Sequence, residues 1–265
     1  MRIYILSDNK VIEHRPKDLM AEWGFAALVE FNHEFILFDT GKRVVNHNAQ
    51  LMRAPLDKVN KIVISHGHYD HTTGLPEILR ILDAELYLHP HAWLPRYVKE
   101  EYIGMPYKKE EIESLASIVE HEEPVEVVKN LWGLGEIPRK HEGGKLDSYM
   151  VMNGRKVHDE ILDDQALAMK TQEGVVLLLG CCHAGLKNTV EYAEEVVGDE
   201  VRRIIGGMHF ISLNDEEIRE GGKWLDNKID FVAPCHCTGF KAEAILSSML
   251  SDRFNAIGAG SVLTL

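Results

Sequence analysis

A short apolar run, Lys61-Ile62-Val63-Ile64, passes without a break into Ser65-His66-Gly67-His68-Tyr69-Asp70-His71-Thr72-Thr73-Gly74. Three histidines and an aspartate in six positions, directly after a strand-like run, predict a strand that delivers a tight polar loop to a sheet edge. Such a loop holds its side chains rigidly yet leaves them open on one side, as a catalytic metal requires. His66 and His68 stand two apart, so an extended loop aims both imidazoles the same way. Asp70 and His71 are adjacent and diverge, which suits a second metal roughly 3.5–4 Å away, the spacing of two-metal enzymes. Imidazole with carboxylate favours zinc; iron, manganese and magnesium are the other candidates.

The rest of the chain bounds what surrounds this loop. Its 265 residues suit one large α/β or layered fold, read as a single domain over 1–265. With 45% hydrophobic and 27% charged residues the composition is that of a globular protein. No apolar run approaches the ~20 residues that span a bilayer. The start, Met1-Arg2-Ile3-Tyr4-Ile5-Leu6-Ser7-Asp8, turns polar too soon for a secretory segment and reads as a first strand. A cytoplasmic protein is expected. Acidic residues outnumber basic ones 42 to 29, for a net charge of −13 with no basic block, which argues against nucleic acid as a partner. Nothing in the sequence decides the oligomeric state. The four cysteines form two close pairs, Cys181-Cys182 and Cys235-x-Cys237, each touching a histidine. That is not the spacing of a disulfide framework, and they read as buried reduced thiols or as groups lining a site.

Patterning predicts strands at 2–6, 25–31 and 34–38, the last two a hairpin turning through Asn32-His33, and then Asp39-Thr40-Gly41. A helix over 42–53, the strand 61–64, the histidine loop and a helix near 74–83 follow. The texture changes over about 85–160: a strand at 85–88, a His89-Pro90-His91-Ala92-Trp93 segment, a charged helix over 108–120, then Pro124 and short strands. This stretch is expected to be an insertion covering the site, with His89 and His91 as helix-start or surface residues. Regular alternation then resumes, with strands at 166–170, 174–179, 202–205 and 229–233 and helices at 185–197, 215–226 and 239–250. Strands in both halves with helices between them suggest two sheets packed together and covered by helices.

The histidine loop with Phe38-Asp39-Thr40-Gly41 resembles the metallo-β-lactamase fold superfamily, an αββα sandwich with its metals at an edge between the sheets. Later motifs resemble its dihydropteroate-synthase-like branch: Gly135-Glu136-Ile137-Pro138-Arg139, Asp163-Asp164-Gln165-Ala166-Leu167, Gly180-Cys181-Cys182-His183, Gly206-Gly207-Met208-His209 and Cys235-His236-Cys237-Thr238-Gly239. The branch includes an enzyme of methanopterin-type cofactor formation. The resemblance implies that His66 and His68 bind the first metal and Asp70 and His71 the second, with Asp39 as an outer carboxylate orienting the loop. His236 fits the late histidine completing the second metal. Where many relatives carry a further histidine and a bridging aspartate, this chain has Asp164-Gln165 and Cys181. His183 is then the natural replacement ligand for the first metal, with Cys181, Cys182 or Asp164 as alternatives. Asp70 and His209 are the candidate catalytic groups, and Arg139 and His209 the candidates to meet substrate.

These residues predict a dinuclear metal-dependent hydrolase acting on a phosphorylated small molecule. The branch implies an alternative, a transferase in which metals hold the diphosphate leaving group of a dihydropterin while an aryl nucleophile attacks. A redox diiron protein and a non-catalytic metal-dependent binding module are the remaining readings. Histidine at position 68, where diiron relatives carry glutamate, weighs against the former.

Overall fold

The computed structural model describes residues 1–144 and 146–265, which divide into two compact units. The first comprises Met1–Glu122, Asp147–Asp163 and Gly258–Leu265; the second comprises Glu123–Leu146 and Asp164–Ile257.

The larger sheet of the first unit has seven strands, in the order Val262–Thr264, Arg2–Ser7, Ala26–Phe31, Glu34–Phe38, Lys61–Val63, Glu85–Leu88 and Ile118–Glu120. The first three pairings are antiparallel and the last three parallel. The predicted hairpin is present, and its turn residues Asn32 (φ 51°) and His33 (φ 67°) both hold the positive φ that a two-residue turn matching the strand twist demands. Parallel neighbours need crossovers, and the helices Val45–Met52 and Leu75–Ile81 supply them. Leu28, Leu37, Ile62, Ile64 and Leu75 pack into one apolar cluster beneath these helices. A smaller antiparallel sheet runs Arg155–His158, Tyr149–Met152, Arg96–Val98, Glu101–Tyr102.

The second unit carries six strands in the order Phe231–Cys235, Val201–Gly207, Gly174–Leu179, Ala166–Thr171, Leu131–Gly133 and Val125–Val128. The first three are mutually parallel, linked by the helices Leu186–Val197 and Asp215–Lys228. Asn214 starts the second of these, accepting the backbone N–H groups of Glu216 and Glu217 while Glu217 reaches back to the Asn214 N–H. Val175, Leu177, Val190, Ile204, Ile218 and Leu225 form its core.

The mixed α/β class is the one expected, and most elements lie within two residues of their predicted bounds. Two differ. The helix expected over 108–120 stops after Lys109–Glu113, because only Ile112 of that stretch is buried while Ile118–Glu120 pairs in parallel with Leu86–Leu88. The strand Val262–Thr264, antiparallel to Arg2–Tyr4, carries too little apolar pattern to be read alone. The segment 85–160 contributes strands to all three sheets. Among the described residues no helix is long and apolar enough to cross a membrane.

Candidate metal centre

Parallel pairing puts the C-terminal ends of Glu34–Phe38, Lys61–Val63 and Glu85–Leu88 along one edge of the first unit's sheet. That edge therefore carries Asp39, the loop from Ser65 to His71, and His89. Asp39 organises the loop. Its Oδ1 accepts the Ser65 N–H at 2.7 Å, and its Oδ2 accepts the Ser65 hydroxyl at 2.7 Å and the His71 Nδ1–H at 2.6 Å. With its proton on Asp39, the Ser65 hydroxyl accepts in turn from His66 Nδ1 at 2.8 Å. Both imidazoles thus have Nδ1 occupied and present Nε2, the tautomer that outer-sphere partners fix in metal sites.

His66 Nε2 lies 2.8 Å from His68 Nδ1, and His71 Nε2 lies 3.8 Å from Asp70 Oδ2. Two nitrogens on one tetrahedral zinc at ~2.0–2.1 Å stand about 3.3 Å apart, so the first pair needs only a small spread to share an ion. His66 and His71 are fully buried, and His68 and Asp70 are 6% exposed. Burial lifts the Asp70 carboxyl above its ordinary range, partly offset by the charge of His71, its own backbone N–H and Lys42. A buried carboxyl among clustered imidazoles fits a divalent cation and would be costly without a compensating charge. Replacing Asp39 by asparagine removes the charge that holds His71 and Ser65. The expected result is a metal affinity lower by roughly 10–100-fold, measured by competition with a chromophoric chelator. An unchanged affinity would mean that the loop orients itself.

A second support was not legible in the sequence. Asp163 Oδ2 accepts the Gly67 N–H at 2.7 Å, between the first two histidines. Asp163 is itself gripped by the fully buried Arg96 through both terminal nitrogens, while Arg96 Nε lies 2.9 Å from Asp159 Oδ2. Burial pushes the Asp163 carboxyl up, but the Arg96 charge and hydrogen bond and the Gly67 N–H hold it below the ordinary value. His89 is buried and starts a short 3₁₀ helix, accepting the His91 N–H at 3.0 Å. It is a helix-start residue, and the surface alternative is overturned for it.

The second unit repeats the device. Its three parallel strands end side by side, at Cys181-Cys182-His183 after Gly174–Leu179, at Met208-His209 after Val201–Gly207, and at His236 after Phe231–Cys235. His183 and His236 are each 3% exposed and His209 is 8% exposed. The rings of His183 and His209 lie 4.4 Å apart. Burial draws the His209 imidazole down to about 4, so it is neutral near pH 7. All four cysteines are buried. Burial pushes the Cys182 thiol up, and its sulfur sits 3.4 Å from Thr189 Oγ1. The Cys181 carbonyl accepts from Cys237 Sγ at 3.4 Å. Asp164 Oδ2 accepts the Ala184 N–H at 2.8 Å, so this carboxylate braces the loop that carries His183. Arg139 is half-buried, close enough to Cys182 for its charge to oppose the rise in that thiol. Asp39, Cys182, His209 and His236 adopt positive φ of 59°, 61°, 53° and 52°, a conformation costly for non-glycine residues.

A family model of the metallo-beta-lactamase superfamily matches residues 24–146. The chain is also 31% identical to the uncharacterized protein MJ0448 of Methanocaldococcus jannaschii, over 97% of its own length and 98% of the relative's. The chain belongs to the metallo-beta-lactamase superfamily. Within it, the crystal structure of Tm1679, a metal-dependent hydrolase of the beta-lactamase superfamily, superposes with a TM-score of 0.88 at 29% identity, covering 100% of this chain and 99% of that one. Another superfamily relative, the 7,8-dihydropterin-6-methyl-4-(beta-D-ribofuranosyl)-aminobenzene-5'-phosphate synthase of M. jannaschii, is 29% identical over 99% of this chain and 96% of its own.

Proposed function

We propose that this chain is a two-metal hydrolase, preferring zinc, that acts on a phosphorylated small molecule. The observation that carries the reading is the relay from Asp39 through Ser65 to His66, and directly to His71, which presents Nε2 of both buried imidazoles as ligands. In this reading His66, His68 and His183 serve the first ion, and Asp70, His71 and His236 the second. Asp39, Cys181 and Asp164 stand behind them. Bound divalent ions supply Lewis acidity toward a phosphoryl oxygen and lower the pKa of water from ~15.7 toward ~7. The chain's own groups do the rest. In this reading Asp70 would offer a carboxylate oxygen to orient water, His209 would meet the substrate as a neutral imidazole, and Arg139 would pair with phosphate.

Elemental analysis of the purified protein, with turnover of a panel of phosphomonoesters, phosphodiesters and diphosphates, tests this. About two divalent ions per chain are expected, together with a loss of activity of 100-fold or more, on the order of that for a removed catalytic group, in His68→Ala. A wild-type protein that binds no divalent metal sinks the reading.

A second reading is favoured by the full-length similarity to the pterin synthase. Here the same metals would hold a diphosphate leaving group while an aryl nucleophile attacks carbon. It is distinguished by a product that forms only when a dihydropterin diphosphate and an aryl acceptor are both supplied.

A further inference from the structure

Lys42 follows Asp39-Thr40-Gly41 at the end of the strand Glu34–Phe38, beside the loop that carries the first unit's proposed ligands. Within that loop His66 and His71 are fully buried, whereas His68 and Asp70 each keep 6% of their surface open. The loop therefore meets solvent around positions 68 to 70. Tyr69 stands there, half-buried, and the Lys42 ammonium lies 5.4 Å from the centre of its ring. An ammonium within ~6 Å of an aromatic face is held by the ring's quadrupole without losing its charge. Lys42 is also near enough to Asp70 for its charge to oppose the rise in that carboxyl.

The backbone beneath Lys42 is fixed on both sides. Glu22 Oε1 accepts the Lys42 N–H at 2.7 Å, and Oε1 and Oε2 accept the Arg43 N–H at 3.1 and 2.9 Å. The Thr40 N–H donates to the His71 carbonyl at 2.8 Å, and the Gly74 N–H to the Gly41 carbonyl at 3.0 Å. Gly41 holds φ 53°, and a Cβ there would lie 2.7 Å from Ser7 Oγ, so the bend leading into Lys42 requires glycine. The side chain, by contrast, is left unneutralised. Glu22, the nearby carboxylate, is engaged with these backbone groups and with the Ser7 hydroxyl at 3.0 Å. Among the described residues no carboxylate pairs with Lys42, although Lys61, Lys109 and Lys228 each lie within 2.9 Å of a glutamate. In a chain of net charge −13, a retained positive charge beside the histidine loop locally reverses the field that an anion meets.

We infer that Lys42 is a substrate-selecting residue of the metal centre: its ammonium, poised over Tyr69, pairs with the outer oxygens of a phosphate drawn to ions on His68 and Asp70. The inference rests on the two-metal reading with a phosphorylated substrate, and adds to it the group that favours a charged substrate over a neutral one. Lysine suits the task, because a compact charge with three donors on a flexible stem follows a phosphate without demanding one bidentate geometry.

The test is calorimetric titration of inorganic phosphate into the zinc-loaded full-length protein, with zinc affinity measured alongside by competition with a chromophoric chelator. Lys42→Ala is expected to weaken phosphate binding by about tenfold, the loss of one charge-assisted hydrogen bond. Lys42→Arg should retain most of the binding. Zinc affinity should not fall in Lys42→Ala, because the charge removed is a cation that repels the metal. Arg43→Ala, which removes an exposed cation next along the chain, should leave phosphate binding nearly unchanged. The inference is overturned by equal phosphate affinity in wild type and Lys42→Ala, or by no phosphate binding to the zinc-loaded wild type at millimolar concentration. An equal loss in Arg43→Ala would overturn it in favour of a diffuse positive field, and a joint loss of zinc and phosphate affinity in favour of a structural role. A wild type that takes up no zinc sinks the two-metal reading and this inference together, whereas normal zinc uptake with phosphate binding indifferent to Lys42 sinks the inference alone.

Discussion

Replacing Arg96 by alanine is expected to destabilise the fold by about 3–5 kcal/mol, read by urea denaturation, because it strands two buried carboxylates at once. Arg96 is fully buried, and Asp159 and Asp163 are 2% and 0% exposed. Neither carboxylate can be left charged in that environment without a partner, and Asp163 would then have to take up a proton or pull solvent in. Either response weakens its hold on the Gly67 N–H, so the variant should also lose metal affinity although Arg96 touches none of the proposed ligands. Asp163→Asn is the milder companion. Because the folded carboxyl titrates below its ordinary value, its contribution is complete above the unfolded pKa of ~3.9 and is lost as pH falls through the lower folded value. The stability gap between wild type and Asp163→Asn should therefore be full above about pH 4 and narrow progressively below it. A wild-type midpoint for Arg96→Ala would show that the triad contributes nothing net.

Gly67→Ala should have the largest effect on the metal loop itself. A Cβ at position 67 would stand 2.2 Å from the Ala92 carbonyl oxygen and 2.8 Å from its carbon, and both are backbone atoms that cannot swing aside. The loop must then move away from the 3₁₀ helix Pro90–Trp93, breaking the Gly67 hydrogen bond to Asp163 and displacing His66 and His68 together. Overpacking of this kind costs roughly 1–3 kcal/mol. A shift near 1 Å in a reacting constellation costs on the order of 100-fold in rate, so activity should fall far more than the melting temperature. Metal content and kcat/KM measured alongside a thermal melt check this. Equal metal content in the variant would mean that the loop tolerates the shift.

These two positions differ in how much of them could be read beforehand. The histidine loop announces itself because its donors are consecutive and follow a strand, and the Asn32-His33 hairpin does so because turn chemistry is local. Asp39 was expected as an outer carboxylate through the resemblance, and the structure bonds it to Ser65 and His71. Arg96 was not. In the sequence it sits in Pro95-Arg96-Tyr97-Val98, with nothing to separate a buried arginine from an exposed one, and its partners lie 63 and 67 positions further on. Asp163 stood beside Asp164, and a pattern cannot tell which of two adjacent carboxylates turns toward the metal loop and which braces His183. The helix expected over 108–120 failed for a related reason: the pairing of Ile118–Glu120 with Leu86–Leu88 is a tertiary event that overrides local helical preference.

The left-handed backbone at Asp39, Cys182, His209 and His236 bears on how this protein can change. Each position holds a side chain in a conformation that glycine adopts freely, at a cost of order 1–3 kcal/mol. Selection for heat resistance alone would favour glycine or asparagine at such places, trading away the imidazole or carboxylate. At Asp39, His209 and His236 a stabilising exchange to glycine would therefore gain free energy only by removing a carboxylate or an imidazole from these strand ends.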